Sequence, residues 1–192
     1  MKPSFASRKA QLTVVLAAVS SLMAGAQTAL PERYSATAVN GEGRGTSAVE
    51  IVLERWSTDA ERDRLLATLL DKGPDKLLDV LQEVPSVGYV GSPTGGRWDL
   101  RYARRVPLPD GGERIILATD RPLGFFEAAN QLRTVDYPFT IIELRLNPQG
   151  EGEGKMSFAT KIIADKESGT IVLENYGIQP VLLQAVRREK TT

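Results

Sequence analysis

The sequence predicts an α+β fold: one mostly antiparallel, strongly curved sheet, a barrel or half-barrel, with a two-helix hairpin inserted after the second strand. Three observations lead there. The hydrophobic period changes abruptly at Ser57, from the two-residue alternation of Val49, Ile51 and Leu53 to the helical spacing of Leu65, Leu66, Leu69 and Leu70. From Pro85 onward the chain returns to β-type runs separated by turn-forming residues. The connections among those runs are too short for crossover helices, so neighbouring strands must run antiparallel. With about nine strands in one sheet, twist favours curling.

Taken in order, residues 1–26 have the layout of a cleavable secretory signal. A cationic start is followed by the apolar stretch Leu12 to Val19 and by the small-residue site Ala24-Gly25-Ala26. The apolar run is too short for a membrane anchor, which needs about 20 such residues. Residues 27–192 then form a single globular domain of 166 residues, enough to bury a core without disulfides. Thr28 to Arg33 reads as an extended leader and Tyr34 to Val39 as a short strand. The loop Asn40 to Gly45 alternates three glycines but lacks the G-x-G-x-x-G spacing of a nucleotide loop. Ala48 to Trp56 is a half-buried strand. Thr58-Asp59-Ala60-Glu61 has the spacing of a capping box, so a helix starts there. Gly73-Pro74 stops it, and a second helix over Asp75 to Glu83 turns Leu77, Leu78, Leu81 and Val84 inward. Two leucine stripes joined by a short break cover the chain's own sheet.

The remaining strands are Val87–Val90, Trp98–Val106, Arg114–Thr119, Phe139–Leu146, Met156–Ala164, Ile171–Tyr176 and Val181–Arg187. Pro93-Thr94-Gly95-Gly96, Pro109-Asp110-Gly111-Gly112, Pro148-Gln149-Gly150 and Glu167-Ser168-Gly169 supply turns. The apolar segment around Phe125, Phe126 and Tyr137 is expected to plug against the core rather than act as a lid. Arg187 to Lys190 reads as a frayed, solvated end.

Composition closes several chemistries. The chain has no Cys and no His, so disulfides, thiolate nucleophiles, imidazole bases and the Ser-His-Asp triad are excluded. Thiolate- or imidazole-ligated metal sites are excluded with them. Without the signal, 21 cations face 24 anions, a net charge of −3 that argues against nucleic-acid binding. The loop Asn147 to Glu153 resembles a calcium loop only superficially, because Phe158 stands where a bidentate carboxylate is needed. No cofactor and no metal are expected. After the signal, charged residues interrupt every hydrophobic run, so no transmembrane segment is expected.

The strand Trp98–Val106 carries the most informative pattern. Strict alternation puts Trp98, Leu100, Tyr102, Arg104 and Val106 on one face, so a single cation, Arg104, sits on an apolar face. Trp98, Tyr102 and Arg104 are therefore the candidate ligand-binding residues, with Arg104 as the clamp for an acidic group on a partly apolar ligand. The structural alternative is an Arg104 that reaches water or an internal carboxylate. Gly96-Arg97-Trp98 matches the short G-x-W signature of lipocalin-type barrels, but too few strands follow it for a barrel to begin there. Asp120 and Asp136 form a conceivable hydrolytic pair that no motif supports.

The segments Glu54 to Arg62, Ala118 to Pro122 and Leu173 to Tyr176 carry a resemblance to an uncharacterised family of secreted bacterial proteins of acidobacterial type, extending over most of residues 33–190. The resemblance implies export and brings no activity with it. The expectation is an exported protein, periplasmic or secreted and without enzymatic activity, that binds a small partly apolar ligand or a protein partner in the curve of the sheet. Two other classes stay open: a carboxylate-dependent hydrolase acting on envelope or extracellular polymers, and a protein–protein interaction module.

Overall fold

A computed structural model describes residues 31–39, 45–93, 95–121, 138–165, 170–175 and 180–190. The signal segment, the glycine loop 40–44, the segment 122–137 with Asp136, and the turn at 167–169 lie outside the described residues. Ten strands and two helices are present among the described residues. The first two strands are β1 (Glu32–Val39) and β2 (Thr46–Leu53), and the helices α1 (Asp59–Lys72) and α2 (Pro74–Glu83) follow. Then come β3 (Gly88–Gly91), β4 (Arg97–Leu100), β5 (Tyr102–Pro107), β6 (Glu113–Ala118), β7 (Phe139–Leu146), β8 (Glu151–Asp165), β9 (Thr170–Asn175) and β10 (Val181–Arg188).

All paired strands are antiparallel, in the order β4-β3-β2-β1-β10-β8-β7-β6-β5, and β9 pairs with β8 beside that path. The two ends of this order, β4 and β5, are separated in the chain by Arg101 alone. The Leu100 carbonyl accepts from Val87 N on the β3 side, and Arg101 N donates to the Ala118 carbonyl on the β6 side. One stretch of chain thus joins both ends of the sheet, and the sheet curls into a nearly closed barrel. The first strand pairs with the last along β1 and β10, from Tyr34 opposite Arg188 to Val39 opposite Leu182.

The expected nine strands become ten because Trp98–Val106 is not one continuous alternation. Leu100 and Ala103 are both fully buried in the inner core, although an even spacing is needed for two residues to share a face. Arg101 is the extra residue, inserted in the manner of a β-bulge. Everything after it faces opposite to the expected direction.

Two apolar cores result. The inner one fills the barrel with Ile51 and Leu53 from β2, Leu100, Leu117 from β6, Ile142 and Leu144 from β7, and Leu183 from β10. Each of these seven is 0 % exposed. A ligand-sized void would leave accessible surface on its walls, so the middle of the barrel is filled by side chains. The outer core lies between the helical hairpin and the outside of β5 to β8: Leu65, Leu69, Leu77 and Leu81 pack on Ala118, Phe139 and Ile141, with Tyr102, Ile116 and Ile162 at the margin. The hairpin therefore covers one face of the barrel. Leu70 points away and is exposed, so the apolar stripe of α1 is narrower than its four leucines imply.

Local chemistry explains the helix ends. Thr58 Oγ1 accepts from Glu61 N at 3.1 Å while the Glu61 carboxylate accepts from Thr58 N at 2.8 Å, a complete capping box. At the other end Gly73 takes φ +83° and its amide donates to the Leu69 carbonyl, a conformation that a side chain disfavours. Gly88 answers a different demand, because a Cβ there would lie 2.0 Å from the Val52 carbonyl oxygen of the adjacent strand. The tail is no frayed end: β10 runs to Arg188, and Glu189 N donates to the Arg33 carbonyl.

Candidate functional site

The barrel has two unlike ends. At the lower end β1 begins and β10 finishes, and at the upper end β1 finishes and β4 begins. Register decides what each presents.

At the lower end four charged side chains point into the barrel from opposite walls. Glu32 lies two residues before the inward Tyr34, and Arg188 pairs with Tyr34 across β1 and β10. Arg105 pairs with inward Ile115, and Glu113 pairs with inward Leu146. Together they form a ring of alternating charge. Arg105 Nη2 reaches the Glu32 carboxylate at 2.8 and 2.6 Å and its Nε lies 2.8 Å from Glu113. Arg188 closes the ring, with Nε 3.4 Å from Glu32 and Nη2 against Glu113. Two ring neighbours complete the set. Tyr34 Oη donates to Glu32 at 2.6 Å, and Trp56 Nε1 donates to its other oxygen at 3.3 Å. Arg105 stacks over the Trp56 ring and Arg188 over the Tyr34 ring. Burial, followed by the hydrogen bond and negative charge of Glu32, pushes the Tyr34 hydroxyl up to about 12. The Glu32 side chain is 0 % exposed, and such burial is tolerable only because each charge has opposite neighbours.

Among the described residues the upper end is apolar. Val49 of β2, Trp98 of β4 and Phe158 of β8 pack on the inner core and remain partly exposed. Near the same end Thr140, two residues before inward Ile142, is 0 % exposed and its hydroxyl has no hydrogen-bond partner.

The structure separates the three residues expected to share a face. Trp98 pairs with Val90 and points into the barrel. Beyond the Arg101 slip, Tyr102 lies in the outer core, where burial raises the affinity of its hydroxyl for its proton. Arg104 also faces outward and forms an ion pair at 3.1 Å with Asp59, the first residue of α1. Arg104 therefore ties the barrel to the hairpin and lies on the opposite face of the sheet from Trp98. The residues that do face inward, Ala103 and Arg105, were assigned to the other face by strict alternation.

Asp120 is buried and engaged by Arg101 Nε and Arg121 Nε, each at 3.3 Å. Arg101 also donates to the Val84 carbonyl. This carboxylate anchors the chain at the β4–β5 joint; Asp136, the other member of the conceivable hydrolytic pair, lies outside the described residues. Among the described residues no cluster of carboxylates suited to a metal occurs, and no helix is long and apolar enough to cross a membrane. The hairpin at Asn147 is a turn held by its own side chain, whose Oδ1 accepts from Gln149 N and Glu151 N at 3.0 Å. Comparison of the chain with protein-family models, with curated proteins and with solved structures gives no match.

Proposed function

We propose that this is an exported, non-enzymatic binding protein that takes a small, partly apolar ligand at the upper mouth of the barrel, on Trp98, Val49 and Phe158. The observation that carries this reading is the asymmetry of the two ends. One is sealed by paired charges, and the other leaves apolar side chains partly exposed above a filled interior. A filled interior restricts the ligand to the mouth, where an alkyl or aromatic group stacks on the Trp98 indole. With Arg104 engaged by Asp59 outside the barrel, an acidic head group is not required of the ligand.

The test uses the two tryptophans, Trp56 and Trp98. In a Trp56→Phe variant all tryptophan emission comes from Trp98. Titration with decanol and with decanoate is expected to give a saturable change in that emission with either probe. Trp98→Ala should weaken uptake of the same probes by about tenfold, the loss of one well-buried aromatic contact. If the emission of Trp98 responds to neither probe, the reading fails. Export is tested separately, by the mass of the protein recovered from cells expressing the full chain: a product beginning at Gln27 is expected, and retention of residues 1–26 overturns it.

A further inference from the structure

We infer that the charge ring at the lower end is an acid-releasable latch: protonation of Glu32 and Glu113 opens that end of the barrel while the apolar interior and the upper end stay folded. The inference does not depend on ligand binding at the other end. It rests on three observations.

First, the ring is the cross-link at this end. It ties β1 and β10 to β5 and β6 on the opposite wall through ion pairs, reinforced at Glu32 by hydrogen bonds from Arg105, Tyr34 and Trp56. Each arginine bridges both glutamates. Removing the negative charge of the glutamates leaves two guanidinium groups facing one another inside the barrel, without a counter-ion, in a partly desolvated place. Repulsion and hydration then favour the same movement, outward.

Second, the hydrogen bonding of the ring is incomplete. Arg105 Nε, Arg188 Nε and Nη2, and Glu113 Oε1 are buried and lie beside opposite charge, yet none makes an aligned hydrogen bond. Once charge is removed, these positions have no aligned bond to hold them, and directional bonding is left to the Arg105, Tyr34 and Trp56 donors at Glu32.

Third, the groups around the ring do not compensate. Tyr34 from β1 stays protonated throughout the acid range. Trp56, from the segment after β2, is neutral, and the β7–β8 turn brings Gly150 against Arg188. The carboxylates that follow along that segment, Asp59 and Glu61, pair with Arg104 and Arg55 rather than with the ring. Deeper in the barrel the described members of the inner core other than Tyr34, including Leu53, Leu144 and Leu183, carry no titrating group.

A tryptophan sits at each end, so the latch is read directly. Trp56 is bonded to Glu32 and stacked under Arg105, while Trp98 packs on the core at the upper end. Single-tryptophan variants, Trp98→Phe and Trp56→Phe, are titrated with acid while emission and far-ultraviolet circular dichroism are followed. The Trp56 transition is expected at a higher pH than the transition shared by Trp98 and the dichroism signal. Repeating the titration in Glu61→Gln keeps the Arg55 pair from contributing. Glu113→Gln, at the less buried of the two carboxylates, should move the Trp56 transition to higher pH and leave the Trp98 transition in place. Coincident transitions for both tryptophans, or a Glu113→Gln variant that moves both equally, would overturn the latch.

Discussion

Thr140 spends a buried hydroxyl on nothing, and the cost of such a group falls on the folded state. Thr140→Val keeps the shape and removes the polar atom. The expected result is a gain of about 1 kcal/mol in urea denaturation, and a loss of similar size would reveal a hydrogen-bond partner. Gly88 is the opposite case. A methyl group there must displace the Val52 carbonyl, so Gly88→Ala should cost about 2–3 kcal/mol by the same measurement. At this scale the sequence is only partly legible. Trp98 is identifiable from its alternating neighbours. Glu32 and Arg188 are not, because a charged side chain ordinarily lies in water, and only the pairing of β1 with β10 turns both inward. No local pattern announces a contact between residues so far apart in the chain.

Among the elements, the helical hairpin is where sequence and structure agree most closely. A capping box acts within four residues, and the chain shows it whole. Thr58→Ala should destabilise the protein by about 1 kcal/mol in thermal or urea unfolding. The hydrogen bond from Arg55 holds the Glu61 carboxyl below its usual value of 4.5. Because the folded-state value is the lower one, the contribution of Glu61 is complete above pH 4.5 and is lost as the pH falls through the folded-state value. Stability measured from pH 7 to pH 3 should therefore decline less steeply in Glu61→Gln than in the parent, and equal slopes would show that the pair contributes nothing. The strand Trp98–Val106 is where agreement stops. Its polar–apolar alternation holds as far as Tyr102 and gives way at Ala103-Arg104-Arg105, but nothing there marks Arg101 as the extra residue. What inserts it is tertiary: the Arg101 guanidinium is fixed by Asp120 and the Val84 carbonyl. That single slip exchanges Tyr102 and Arg104 for Ala103 and Arg105 on the inner face, and with them the composition of the proposed site.

For the molecule as a whole, the short turns make an antiparallel meander legible and strand number makes its curvature legible, but neither says where the sheet closes. Closure requires β1 to meet β10 and β4 to lead into β5. The β1–β10 contact is long-range, so folding should be slow, in the range of milliseconds to seconds, as stopped-flow emission of Trp98 would show. Ending the chain after Arg187 removes one corner of the charge ring and leaves Glu113 and Glu32 with one cation between them. A loss of about 3 kcal/mol or more is expected, and an unchanged urea midpoint would show that Arg188 is dispensable. The joint at Arg101 has a consequence beyond the fold of one copy. A flat β-layer carries two bare backbone margins, each able to recruit another copy and so seed fibrils. Here both margins belong to one ribbon of chain, and on the β5 side Ser57 already takes the Ala103 amide and carbonyl, so a copy adding there must first displace that contact.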